Sequence, residues 1–144
     1  MANFPLNFHV NSKASSGIST TFIAKENHCP DITCAIPTEF NGPGNAYSPE
    51  GLFGLSIITC MTAMFKVICE KNGVTFSSLD IDANMTMDFA PQESLLMITE
   101  IDIIIKLTGV SDKEKAKVFM EKAIKDCPIS HSVKCGKTFK IEIN

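Results

Sequence analysis

Arginine is absent from all 144 residues, and the thirteen basic side chains are lysines. Chemistry that needs a planar, bidentate cation must therefore be done another way. The lysines are scattered without a basic run, and a net charge of −3 with a pI near 5.6 argues against nucleic acid as the main partner. There is no phosphate-cradling glycine loop, no G-x-S-x-G, no internal repeat and no low-complexity segment. The three histidines, His9, His28 and His131, have no ligand spacing, and His28-Cys29 with Cys34 lacks a second pair at any zinc-site spacing, so neither a metal nor a cofactor is expected. The opening M-A-N-F-P has no basic n-region and no apolar h-region, which predicts a cytoplasmic protein. In that compartment six cysteines are not a disulfide framework, and some are free for redox chemistry.

What the chain does have is one long apolar stretch, Ser48 to Gly73, S-P-E-G-L-F-G-L-S-I-I-T-C-M-T-A-M-F-K-V-I-C-E-K-N-G. Ser48 reads as an N-cap, Pro49 as the first helical residue and Glu50 as a carboxylate in the positive first turn, while Asn72-Gly73 supplies the left-handed stop. Lys66 is the single charge well inside the stretch, so nearly the whole circumference of the helix is apolar or small and has to be covered. A membrane span has the same length and polarity. The polar cap, Lys66, the scattered Ser and Thr and the amphipathic strands that follow favour a soluble chain instead, with no membrane contact. The helix is then a core element between its own sheet and a second chain.

Residues 4–12 and 18–26 are β-branched, apolar runs joined by K-A-S-S-G and read as a hairpin, with a third run from Asp31 to Ile36. Pro37 to Tyr47 is a loop punctuated by Gly and Pro. After Gly73, Leu79, Ile81, Ala83, Met85, Met87 and Phe89 share one face. Val74 and Phe76 join that face if a bulge sits at Ser77-Ser78. A turn at 91–94 leads to a second alternating strand with Met97, Ile101, Ile103, Ile105 and Leu107. Ser111 to Glu114 has capping-box spacing before an amphipathic helix over 112–126, residues 128–134 hold a further short helical turn, and 138–143 alternate as a last strand. The fold class is α+β in one domain spanning 1–144, with mainly antiparallel sheets wrapped around a long buried central helix. Those sheets cover one side of the helix, which predicts a homodimer.

Cys60, in mid-helix, is by default a small buried hydrophobe. Cys127 lies where one helix stops and Pro128 opens the next, so local electrostatics alone make it the more acidic thiol. Cys29, Cys34, Cys69 and Cys135 read as unpaired structural thiols. Phe53, Ile57, Met61, Met64 and Phe65, beside Cys60, serve equally as an apolar substrate wall or as packing core.

S-P-E-G-L-F-G, the Cys ten positions after that Glu, C-P-I-S-H-S-V near the end, and E-F-N-G-P-G ahead of S-P-E together resemble the OsmC/Ohr family of thiol-dependent hydroperoxide reductases, over essentially the whole chain. The resemblance implies an intertwined α+β homodimer with active sites at the subunit interface. It implies Cys60 as the peroxidatic cysteine, Cys127 as the resolving cysteine and Glu50 as the active-site carboxylate. It also implies organic hydroperoxides as substrate and a dithiol or lipoyl-type reductant as partner. The family's active-site arginine has no counterpart here; Lys25, in the segment that supplies it, is the substitute cation to test, with His131 a weaker candidate.

Glu50 and Cys60 are about 15 Å apart along one helix and roughly 80° apart around it, so a common site needs two chains. A free thiol is only about 3% ionised near pH 7, and a cation should therefore pair with Glu50 or the thiolate. The competing class is a non-catalytic or redox-sensing relative that binds an apolar ligand at the dimer interface.

Overall fold

A computed structural model describes residues 4–90 and 94–144. The predicted turn at 91–94 lies largely outside the described residues, as do the first three residues of the leader reading. The chain divides into two compact units, 1–53 and 54–144.

In the first unit, β1 (Val10–Lys13), β2 (Phe22–Glu26) and β3 (Ile32–Cys34) form an antiparallel sheet in that order. The first strand is shorter than its apolar run. The β1–β2 ladder stops where Val10 faces Glu26, because β2 turns away just beyond, with His28 at φ 67° and the Cys29 N–H donating to the Glu26 carbonyl at 3.1 Å. The loop after β3 folds back, with Tyr47 bridging Cys34 in parallel and the Ala35 N–H donating to the Tyr47 carbonyl at 3.0 Å. Inside that loop the Gly42 N–H donates to the Pro37 carbonyl at 2.9 Å, and a Cβ on Gly42 would collide with the Ile36 carbonyl. The loop ends at Ser48, whose Oγ accepts the Gly51 N–H at 2.9 Å, so the predicted cap is in place.

Helix α1 (Pro49–Lys71) is unbroken. It stops as Asn72-Gly73 requires: Gly73 takes φ 65°, its N–H reaches the Glu70 carbonyl at 3.5 Å, and the Val74 N–H reaches the Cys69 carbonyl at 3.1 Å. That paired closure satisfies carbonyls the helix end would leave bare.

In the second unit, β4 (Ser78–Phe89), β5 (Leu96–Thr108) and β6 (Gly136–Ile143) form a sheet in that order. The long hairpin is β4–β5. The bulge predicted at Ser77-Ser78 is absent, because the strand begins at Ser78. The register shifts instead between Thr86 and Met87, where Thr99 is the extra residue and its hydroxyl donates to the Thr86 carbonyl at 3.3 Å. The last strand, β6, pairs parallel with β5, Gly136 opposite Glu100, since the intervening helices return the chain to the start of β5.

Helix α2 (Lys113–Asp126) is capped by Asp112, which accepts the Lys115 N–H at 3.0 Å, rather than by Ser111. Ser111 is drawn away by an exchange with Thr75: its hydroxyl accepts the Thr75 N–H at 3.0 Å, and its own N–H donates to the Thr75 carbonyl at 2.9 Å. Helix α3 (Pro128–His131) is a single turn.

The core of this unit joins three stripes. Ile101, Ile103, Ile105 and Leu107 lie on one face of β5; Ala116, Met120 and Ala123 lie on α2; and Gly54, Ile57, Met61, Phe65, Ile68 and Cys69 lie on α1. Full burial of each large aliphatic side chain contributes about 1.5–3 kcal/mol. Phe65 packs its ring on Phe76 with centroids 5.2 Å apart. Gly54 admits Met85 so closely that a Cβ would meet the Met85 methyl at 2.7 Å. The opposite face of α1 is open, with Leu55 39% and Val67 51% exposed. By length and composition α1 could cross a membrane, yet the side turned toward its own sheet is packed.

Gly42→Ala should destabilise the fold by about 1–3 kcal/mol, because backbone has to move. Gly54→Ala should cost less, since the end of the Met85 side chain can give. Urea unfolding of the two variants checks the order; equal losses would contradict this assignment of the close contacts.

Candidate functional site

Two of the residues singled out from the sequence meet in the second unit. Cys60 projects from α1 beside the buried stripe and is itself partly exposed, whereas Cys127, at the corner between α2 and α3, has no exposed surface. Both are free thiols, and their side chains are within hydrogen-bonding reach of each other. The corner is dictated locally: Cys127 ends α2, Pro128 opens α3 at a position that needs no N–H, and the Cys127 sulfur accepts the Ser130 N–H at 3.4 Å. The Ile129 N–H is a second donor to the same sulfur.

The expectation that Cys127 is the more acidic thiol is overturned. Burial first, and then the hydrogen bond with Cys60, push the Cys127 thiol up to about 11 against the pull of the Ser130 and Ile129 amides. Donors favour a thiolate only while solvation by water is not lost at the same time. The pair thus keeps a proton on Cys127 and presents Cys60 as the partly accessible sulfur. Because its native pKa is raised, the Cys127 contribution to stability is present below about pH 9 and is lost as pH rises through about 11.

Glu50 sits in the first turn of α1 with Oε2 buried and without a hydrogen-bond partner among the described residues. It shares one continuous helix with Cys60, and the rise of that helix keeps the two about 15 Å apart. Lys25 is exposed on β2, opposite Asn11, and makes no ion pair among the described residues. With Cys29, Ile32 and Leu52 it lines a concavity of about 490 Å³ in the first unit. Lys25 and Glu50 are therefore not brought together as an ion pair.

His131 donates from Nε2 to the Lys125 carbonyl and ties α3 back to α2, a structural role. Ile57, Met61 and Phe65 are fully buried and belong to the packing core; Phe53, two helical turns before Cys60, and Met64, one turn after it, are half-buried on the Cys60 side. Of the other thiols, Cys34 and Cys69 are buried, burial raising the Cys69 thiol, while Cys135 is half-buried and Cys29 exposed. Among the described residues no group of three His, Cys, Asp or Glu is placed to hold a metal ion. The family resemblance implied that the two thiols meet, as peroxidatic and resolving cysteines that form a Cys60–Cys127 disulfide; the signal for the amide donors was the C-P-I-S order, which puts two N–H groups just past the sulfur.

Comparison with known proteins follows this geometry. The family model described as OsmC-like protein matches residues 42–142. A search of curated proteins returns no match. Among solved structures, an OsmC-like protein of unknown function from Vibrio cholerae has a TM-score of 0.82 at 14% identity, covering 95% of this chain and 99% of its own. An organic hydroperoxide resistance protein OsmC from Legionella pneumophila has a TM-score of 0.73 at 15% identity, covering 99% of each chain. The organic hydroperoxide resistance protein OhrB of Bacillus subtilis has a TM-score of 0.67 at 15% identity, covering 96% of this chain and 98% of its own. At such identities the structural likeness speaks for the fold alone.

Cys60→Ala removes one of the contributions that raise Cys127 while leaving its amide donors in place. The midpoint of Cys127 thiolate formation, followed by ultraviolet absorbance or by the pH dependence of its alkylation, should move down from about 11. An unchanged midpoint would contradict the contact between the two sulfurs.

Proposed function

Because the chain belongs to the OsmC-like protein family, whose model spans residues 42–142, we propose that it is a thiol-dependent peroxidase acting on organic hydroperoxides. The observation that carries this reading is the pairing of a partly exposed Cys60 with a fully buried Cys127 whose proton is retained. The Cys60 thiolate attacks one peroxide oxygen in line, the O–O bond breaks, an alkoxide leaves and takes a proton, and Cys60 becomes a sulfenic acid. Cys127, already in contact, attacks that sulfur. The S–O bond breaks, water is released with the Cys127 proton, and a Cys60–Cys127 disulfide remains. An external dithiol of the lipoyl type returns both thiols and is itself oxidised to a disulfide.

The proposed working form is a cytoplasmic homodimer. A second copy would cover the open face of α1, where Leu55 and Val67 are exposed, and bring its Glu50 toward Cys60 of the first. Lys25 is the cation proposed to answer the unpartnered Glu50 carboxylate in place of arginine. A different reading, a redox-sensing relative without efficient turnover, is favoured by one observation: Lys25 makes no ion pair among the described residues.

Reduced protein mixed with cumene hydroperoxide and dihydrolipoamide should consume peroxide steadily. Cys60→Ser should abolish consumption, and Cys127→Ser should stall after about one equivalent. If the wild type is no faster than Cys60→Ser, the peroxidase reading is wrong. Lys25→Met should slow Cys60 alkylation near pH 7 by about tenfold, the effect of losing a neighbouring opposite charge worth one pKa unit; an unchanged rate rejects Lys25. A solution mass of one subunit at micromolar concentration would refute the dimer.

A further inference from the structure

The reduction half of the cycle has two possible entry points, since a thiolate can attack either sulfur of a disulfide, and the surroundings of the two sulfurs differ. Attack at sulfur runs in line with the bond that breaks, so the incoming thiolate must approach from the side opposite the leaving sulfur. Cys127 has no exposed surface, and the Ile129 and Ser130 amides are directed at its sulfur from the α3 turn. In the single chain Cys60 is partly exposed, with the half-buried Phe53 two turns before it and the half-buried Met64 one turn after it on its side of α1.

We propose that an external dithiol reduces the disulfide by attacking Cys60, and that Cys127, held by the Ile129 and Ser130 amides, is the leaving sulfur; this deepens the peroxidase reading and rests on it for its place in a cycle. One thiolate of the dithiol forms a bond to the Cys60 sulfur as the Cys60–Cys127 bond breaks. The electron pair goes to Cys127, which receives the two amide N–H groups as a thiolate and then takes up a proton. The second thiol of the dithiol, losing its proton, attacks the first sulfur of the same molecule, and Cys60 leaves as a thiolate that takes up the second proton. The reductant ends as a disulfide, and the protein gains two electrons and two protons. Cys127 therefore never carries a mixed disulfide, and the amides of the short α3 turn act as positioning groups for a leaving sulfur.

The test uses the full chain carrying Cys29→Ser and Cys135→Ser, which keeps the other accessible thiols out of the exchange. The Cys60–Cys127 disulfide is made with diamide, so a chain that never turns over peroxide still answers. A monothiol, 2-mercaptoethanol, is added because it cannot resolve its own adduct; the mixture is quenched with acid, free thiols are alkylated, and peptides are mapped by mass spectrometry. The expected result is the monothiol mass shift on the Cys60 peptide and the alkylation shift on the Cys127 peptide. A monothiol shift on Cys127, an even division between the two, or failure of diamide to join Cys60 to Cys127 overturns the proposal.

Discussion

A helix of twenty-three residues that is apolar around nearly its whole circumference has to be covered, and this constraint shapes the rest of the molecule. Its own chain covers one stripe, from Gly54 through Phe65 to Cys69. Gly54 lets the stripe approach Met85, and Phe76 closes on Phe65. Cys60 lies beside the stripe rather than within it, which is what separates it from the buried Cys69 on the same helix. A mid-helix thiol one position off the core face stays partly accessible while its neighbour on another element is sealed.

The proposed chemistry rests on that inequality. Burial holds the proton on Cys127, and the neighbouring Cys60 side chain adds to that effect. The amides of Ile129 and Ser130 do not make Cys127 acidic, yet they remain directed at its sulfur. Their contribution is largest when that sulfur carries charge, as it does on leaving the disulfide of the proposed cycle. The same four-residue turn thus has little effect on Cys127 as an acid at neutral pH and a larger one on Cys127 as the proposed leaving group.

Much of the fold was legible in the sequence because local signals agreed with tertiary demands. Ser48 and Asn72-Gly73 bound α1, and the alternation from Leu79 and from Ile101 marked the long hairpin. The failures share a cause, which is that non-local partners decide them. Ser111 has capping-box spacing but is taken by Thr75, leaving the cap to Asp112. The bulge moved to Thr99 because register is a property of two strands, and the parallel pairing of β6 depends on where α2 and α3 return the chain. At the site, both cysteines were legible from their motifs. The acidity of Cys127 was not, since burial is invisible in C-P-I-S and outweighs the donors that the same four residues announce. That Lys25 and Glu50 form no ion pair among the described residues was likewise not legible, because it too depends on non-local placement.

The central claim is that Cys60 and Cys127 form one redox couple that peroxide oxidises. The most direct measurement adds one equivalent of an organic hydroperoxide to the reduced protein without any reductant, then maps the cysteine peptides by mass spectrometry under acid quench. A Cys60–Cys127 disulfide as the dominant product, preceded by a sulfenic acid on Cys60 alone, is the predicted result. Sulfenic acid first on Cys127, or a Cys60 sulfenic acid that persists with Cys127 still free, would contradict it.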